Sequence, residues 1–171
     1  MLKLFLPNEH VKSIFDIHPE MLIDKEIKGI ITDLDNTLVA WNVKDASPKV
    51  IEWFQLMKDH DIKITIISNN KQERVKIFSE PLGTPFVYSA RKPLGRAFKT
   101  AAKEMELKRE EVVVIGDQVL TDVLGGNYAG FYTILVVPIV KTDGKITRFN
   151  RQIERRILSY MRRKGKISWE E

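Results

Sequence analysis

The chain contains no cysteine, which excludes both a disulfide framework and a thiolate metal site. Histidine is scarce: His10, His18 and His60 are the only three. They show no metal-ligand spacing and read as structural or surface residues. No apolar run approaches the roughly 20 residues a membrane-spanning helix needs; the longest, residues 64–67 and 134–140, are far shorter. Residues 1–7 are followed at once by polar and acidic residues, unlike a signal peptide. Internal repeats, low-complexity stretches and Gly/Ser linkers are also missing. These absences predict a cytoplasmic protein folded as one domain over residues 1–171.

What is present is an ordinary globular balance, with 43% apolar and 30% charged residues among 171. The net charge of +5 is unevenly placed. Between residues 145 and 166 stand Lys145, Arg148, Arg151, Arg155, Arg156, Arg162, Arg163, Lys164 and Lys166, against the single acid Glu154. The basic character therefore belongs to the C-terminal segment. There Ile146, Phe149, Ile153, Ile157 and Met161 recur every three or four residues, predicting a basic amphipathic helix over 145–166. Such a helix can lie on an anionic membrane surface or pack as the last helix of the fold.

Upstream, short β-branched runs alternate with stretches of helical period, the pattern of an α/β protein with a central parallel sheet. Strands are predicted at 28–33, 62–68, 86–89, 111–117 and 132–137, and helices at 47–60, 71–80, 93–106 and 120–129. Ser47-Pro48 reads as an N-cap with proline in the first turn, and Gly130 as a helix stop. Residues 1–27 read as a helical or irregular lead-in. The first four strands each end in a polar cluster: Asp33-Leu34-Asp35, Ser68-Asn69-Asn70, Ser89-Ala90-Arg91-Lys92 and Gly116-Asp117. Ligands bind at the carboxyl ends of strands in open parallel sheets, so these clusters converge on one site.

Asp33 and Asp35 leave one strand two residues apart, so both side chains can face the same way. Paired carboxylates repel unless a cation lies between them or one is protonated. Asp117 adds a third and Asp122 follows five residues later. An all-oxygen set of this kind suits Mg²⁺. Taken singly, each Asp run could be a helix cap, Ser68 another cap and Lys92 a solvated lysine; their alignment at four strand ends favours a phosphoryl-transfer site.

The ordered set, Asp33-Leu34-Asp35-Asn36-Thr37-Leu38, then Ser68, then Lys92-Pro93, then Gly116-Asp117-Gln118-Val119-Leu120-Thr121-Asp122, resembles the four motifs of the haloacid dehalogenase (HAD) phosphatases. The resemblance implies a HAD-like Rossmannoid three-layer sandwich. It also implies that Asp33 attacks phosphorus to form an aspartyl-phosphate, while Asp35 serves as acid and then base. Mg²⁺ would be held by the Asp33 carboxylate, the Asp35 backbone carbonyl and Asp117. Asp122 would orient ligands, water or Lys92. Ser68 and the amide of Asn69 would hold phosphoryl oxygens, with Lys92 supplying positive charge. Arg91 could assist with phosphate or meet solvent. Trp41 falls where the family has a flap, and either touches substrate or packs in the core.

Neither residues 39–63 nor residues 70–91 leave room for an inserted cap domain, so the site should be open and suited to large substrates. Across nearly the whole chain, the lead-in, Thr-Asp-Leu-Asp-Asn-Thr-Leu, Ala90-Arg91-Lys92-Pro93 and Gly-Asp-Gln-x-x-Thr-Asp resemble the YqeG branch. That capless, subclass III group is similar to phosphatidylglycerophosphate phosphatases. The expected substrate is thus a glycerophospholipid, phosphatidylglycerophosphate, with peripheral membrane contact through the C-terminal helix. The alternatives are a soluble ester (sugar phosphate, nucleotide or nucleic-acid end) and a non-catalytic nucleic-acid-binding module, which lacks the aromatic–basic interleaving expected of single-strand binding.

Overall fold

The computed structural model describes residues 2–142 and 145–169. Six parallel strands form one sheet: β1 (Glu9–Val11), β2 (Gly29–Thr32), β3 (Lys63–Ile67), β4 (Phe86–Val87), β5 (Val112–Gly116) and β6 (Tyr132–Val136). Their spatial order is β1-β6-β5-β2-β3-β4. The two central strands are those that carry Asp33 and Asp117 at their carboxyl ends. β2 and β5 are buried throughout, as their unbroken apolar character requires of a strand covered on both faces.

Helices cover both faces. On one, α2 (Pro48–Asp59) and α3 (Gln72–Ser79) bring Trp53, Phe54, Val75 and Phe78 onto Ile30, Ile66 and Val113. On the other, α4 (Arg96–Glu104) packs Phe98, Ala101 and Ala102 against Ile31, Ile67 and Val114. The alternation of Ile30 with Ile31, and of Val113 with Val114, between these two cores is the period-two geometry of strands. Ser47 caps α2 by accepting from Val50 N at 3.3 Å, with Pro48 in the first turn. Gly130 ends α5 (Leu124–Ala129) at φ 85°, the left-handed cap that favours glycine. The chain between β2 and β3 holds α2 and a short flap, and that between β3 and β4 holds α3 and a 3₁₀ turn. Among the described residues, no inserted domain covers the sheet edge.

The lead-in differs from its expected form. It contains β1, which pairs parallel with β6 (Glu9 opposite Ile134), and a short α1 (Pro19–Ile23). Three residues of mixed polarity carry too little periodicity to announce an edge strand. α4 begins at Arg96 rather than 93, because residues 91–95 form the turn closed by Leu94 N onto Arg91 O at 3.0 Å. The expected fourth helix is divided into a π turn, Val119–Val123, and α5.

The C-terminal helix α6 (Lys145–Arg163) docks beside the carboxyl ends of β5 and β6. Its buried line is Glu154, Leu158 and Met161, joining Val119, Val123 and Leu135 in a third cluster. The predicted stripe is therefore rotated: Ile153 and Ile157 are half-buried and Phe149 is 63% exposed, while Ile146's side chain lies outside the described residues. A buried carboxylate at 154 displaced the purely apolar seam. No helix among the described residues is long and apolar enough to cross a membrane.

Candidate active site

Asp33 follows β2, and its amide continues the ladder by donating to Ile115 O at 2.9 Å. Its carboxylate is buried. Oδ1 accepts from Lys92 Nζ at 2.6 Å and Oδ2 from Thr37 Oγ1 at 3.4 Å. Asp117, directly after β5, shares the same threonine, whose Oγ1 lies 3.0 Å from Asp117 Oδ1. Asp122 stands in the π turn, a local widening often found at functional sites. It accepts from Lys92 Nζ at 2.7 Å and from Gln118 N at 3.1 Å. Carboxylate oxygens of Asp33, Asp117 and Asp122 all lie within 4.8 Å of one another. Gly116 makes this possible: a Cβ there would stand 2.2 Å from Asp122 Cγ.

The electrostatics follow from burial. Desolvation alone would depress the Lys92 ammonium, but Asp122 and Asp33 outweigh it and hold its pKa above the ordinary lysine value. Burial pushes the Asp122 carboxyl up to about 6 despite Lys92, with the charge of Asp33 adding to the rise. Asp117 is likewise raised, by burial first, with Arg151 opposing. An all-oxygen cluster with an excess of negative charge suits a hard divalent cation.

Ser68 is buried at the end of β3, where its Oγ accepts from Asn70 N at 3.0 Å. The Asn69 side chain clamps the lysine loop, with Oδ1 accepting from Lys92 N at 2.7 Å and Nδ2 donating to Lys92 O at 3.2 Å. Ser89 and Arg91 take left-handed φ values of 46° and 55° on the same loop, a strain the surroundings must enforce. Arg91 itself is exposed.

Asp35 leaves the cluster instead of joining Asp33. Its Oδ1 accepts from Arg74 Nε at 3.1 Å and Nη2 at 2.9 Å, and its Oδ2 from Asn70 Nδ2 at 3.1 Å. The two acids therefore face different neighbours, because the chain turns at Asn36 (φ 64°) immediately after Asp35. Trp41 is 44% exposed, not a core residue. Its Nε1 donates to Thr142 Oγ1 at 3.2 Å, tying the flap to the segment after β6. His10 stacks on Trp169, and His18 and His60 are exposed.

Sequence reasoning missed Arg151. From α6 its Nη1 donates to Asp117 O at 2.6 Å, its Nη2 bonds Asp117 Oδ2, and Nη1 also lies 3.3 Å from Glu154 Oε2. Glu154 in turn accepts from Leu120 N at 2.9 Å, and burial raises its carboxyl to about 7. The available signal was the lone acid among nine cations.

Comparison with known proteins agrees with this geometry. Residues 89–154 match the family model described as HAD-hydrolase-like. "Probable phosphatase YqeG" of Bacillus subtilis strain 168 is 65% identical over 169 residues, covering 99% of this chain and 98% of that protein. "Phosphatidylglycerophosphate phosphatase 1, chloroplastic/mitochondrial" of Arabidopsis thaliana is 29% identical; the match covers 94% of this chain but 49% of that longer protein. The fold also resembles the cobalt-bound deoxy-D-mannose-octulosonate 8-phosphate phosphatase of Haemophilus influenzae. That likeness has a TM-score of 0.56 and 18% identity, covering 79% of this chain and 89% of the other. With this relationship and this fold, the chain belongs to the HAD-like phosphatases, in the YqeG group, and is a phosphomonoester hydrolase.

Proposed function

We propose that the chain is a magnesium-dependent phosphatase working through an aspartyl-phosphate on Asp33, with phosphatidylglycerophosphate as its substrate. The observation carrying the chemistry is the trio Asp33, Asp117 and Asp122 within 4.8 Å, with Lys92 bridging Asp33 and Asp122. Asp33 and Asp117 would hold the ion together with the Asp35 backbone carbonyl. Bound there, Mg²⁺ would offset the repulsion between carboxylates and phosphate and polarise the phosphoryl group. Asp33 attacks phosphorus as the ester P–O bond breaks, and Asp35 delivers a proton to the departing oxygen. Asp35 then removes a proton from the water that attacks phosphorus, releasing phosphate and free Asp33. Arg74 Nη2, 2.9 Å from Asp35 Oδ1, holds the Asp35 side chain in place. Lys92, fixed by Asn69, keeps charge on the phosphoryl oxygens, and Ser68 with the Asn69 amide binds them. Asp122 positions Lys92.

Three features support the lipid ester: the name of the Arabidopsis relative, the uncapped sheet edge, and the outer face of α6. That face carries exposed Arg155, Arg156, Arg162 and Arg163 beside exposed Phe149, a composition suited to an anionic membrane surface on the cytoplasmic side. Phosphate release would be measured from phosphatidylglycerophosphate vesicles, sugar phosphates and nucleotides, with Mg²⁺ or EDTA. The expected result is metal-dependent turnover, fastest on the lipid and abolished in Asp33→Asn. Turnover surviving in Asp33→Asn would defeat the mechanism; faster turnover of a soluble ester would instead establish the alternative substrate class.

A further inference from the structure

Arg74 carries no strand-end signal, because it stands on a helix. α3 begins just beyond the carboxyl end of β3, and its buried Val75 and Phe78 dock it on the sheet. That docking leaves Arg74, in the first turn, at the reaction edge with 15% of its side chain exposed. All three guanidinium nitrogens are engaged, on two targets. Nε at 3.1 Å and Nη2 at 2.9 Å both donate to Asp35 Oδ1, while Nη1 donates to Lys44 O at 3.2 Å. One planar group therefore grips both the proposed acid and the flap that follows it.

The two oxygens of Asp35 are thereby made unequal. A carboxylate oxygen offers two lone pairs, and both of those on Oδ1 are met by Arg74. Oδ2 takes one bond, from Asn70 Nδ2 at 3.1 Å, and keeps capacity for a leaving oxygen or a water. Asn70 is itself fixed: its N donates to Ser68 Oγ at 3.0 Å, and its O accepts from Ser89 N at 2.9 Å. Asp35 is thus oriented from the same segments that carry Ser68 and Lys92. A staple between α3 and the flap needs only the Lys44 contact and leaves the paired donation to Oδ1 unexplained. Lysine in place of Arg74 keeps the charge but lacks the rigid fork that reaches both targets.

We infer that Arg74 is a positioning residue: it saturates Oδ1, so that Asp35 meets the reacting ester through Oδ2, and it ties that orientation to the flap through Lys44. The proton leaves Oδ2 for the ester oxygen as the P–O bond breaks and the bond from Asp33 to phosphorus forms. This rests on the acid role of Asp35 proposed above and adds what aims it.

The test compares kcat/KM, with Mg²⁺ present, for 4-nitrophenyl phosphate and phenyl phosphate, whose leaving oxygens differ in how much they need a proton. Arg74→Lys should raise the nitrophenyl-to-phenyl ratio about tenfold, since a misplaced acid fails the poorer leaving group first. A purely structural role lowers both esters together and leaves the ratio alone. Asp35→Asn should raise the ratio further, and adding Arg74→Lys to it should change the ratio no more, because the two residues act as one unit. If circular dichroism shows Arg74→Lys unfolded, Arg74→Gln takes its place. With the ratio raised in Asp35→Asn, an unchanged ratio in the Arg74 variant, or a further rise in the double variant, overturns the positioning role and leaves the acid standing. An unchanged ratio in Asp35→Asn removes the acid role itself, and the positioning role with it.

Discussion

Arg151 of α6 and Asp117 after β5 are joined twice, through the guanidinium to the carboxylate and to the backbone carbonyl. A cation from the last helix thus occupies one face of a carboxylate that, under the proposed mechanism, would hold the metal. When Asp33, Asp117 and Asp122 are all ionised, three negative charges face Lys92 and Arg151, which leaves one in excess. Without Arg151 the excess is two, and Asp117 Oδ2 loses this partner. Arg151→Gln should therefore bind Mn²⁺ or Mg²⁺ about tenfold more tightly in the metal-free chain, roughly 1.4 kcal/mol. Titration calorimetry measures this directly, and unchanged or weaker affinity would show that Arg151 and the metal do not compete.

Asp35 is predicted to matter unequally for different esters. A nitrophenolate departs without a proton, whereas an alkoxide needs one, so the acid step is dispensable only for the aryl ester. Asp35→Asn should give a burst of about one nitrophenolate per chain, then slow turnover as the aspartyl-phosphate waits for water. On an alkyl phosphate the same variant should lose about 100-fold or more with no burst. Rapid-quench kinetics distinguish the two, and equal losses without a burst would assign Asp35 a positioning role beside Arg74.

Gly116 admits Asp122 to the cluster by lacking a side chain. A Cβ at 2.2 Å from Asp122 Cγ cannot be accommodated without moving Asp122 away from Lys92. Gly116→Ala should cost about 1–3 kcal/mol in urea unfolding and reduce turnover as the lysine loses one of its two carboxylate partners. Wild-type stability in this variant would mean that the π turn yields freely.

Glu154 makes stability depend on pH. Its folded pKa, about 7, lies above the ordinary 4.5 because the carboxyl is buried. Between these values the native chain holds more protons than the unfolded chain, so stability is full below about 4.5 and declines as pH rises through 7. The whole effect is at most about 3 kcal/mol. Glu154→Gln keeps an acceptor for Leu120 N and removes the titration, so the stability lost between pH 5 and pH 8 should be smaller in the variant. Parallel urea series at the two pH values check this; identical losses would place the titration elsewhere.

Much of the fold was legible because its signals are local. Residues 29–32, 63–67 and 112–116 form central strands whose near-continuous apolar character follows from burial on both faces, and Ser47-Pro48 and Gly130 terminate helices by backbone rules that act within a few residues. The failures came where local signal was thin or overridden. β1 is three residues long and exists because β6 offers it an edge. α6 is rotated because one buried carboxylate, Glu154, bonds a π turn 34 residues upstream.

Strand periodicity was enough to place Asp33, Ser68, Lys92 and Asp117 beyond the carboxyl ends of β2, β3, β4 and β5. The partners of these groups come from packing between distant segments. Asp35 goes to Arg74, Asn69 clamps Lys92, and Arg151 covers Asp117, across separations of 39, 23 and 34 residues. The physical reason is that strand periodicity fixes where a side chain starts. Its partner is set by which distant loop or helix packing brings within 3 Å, and by which charge must be neutralised once water has been excluded.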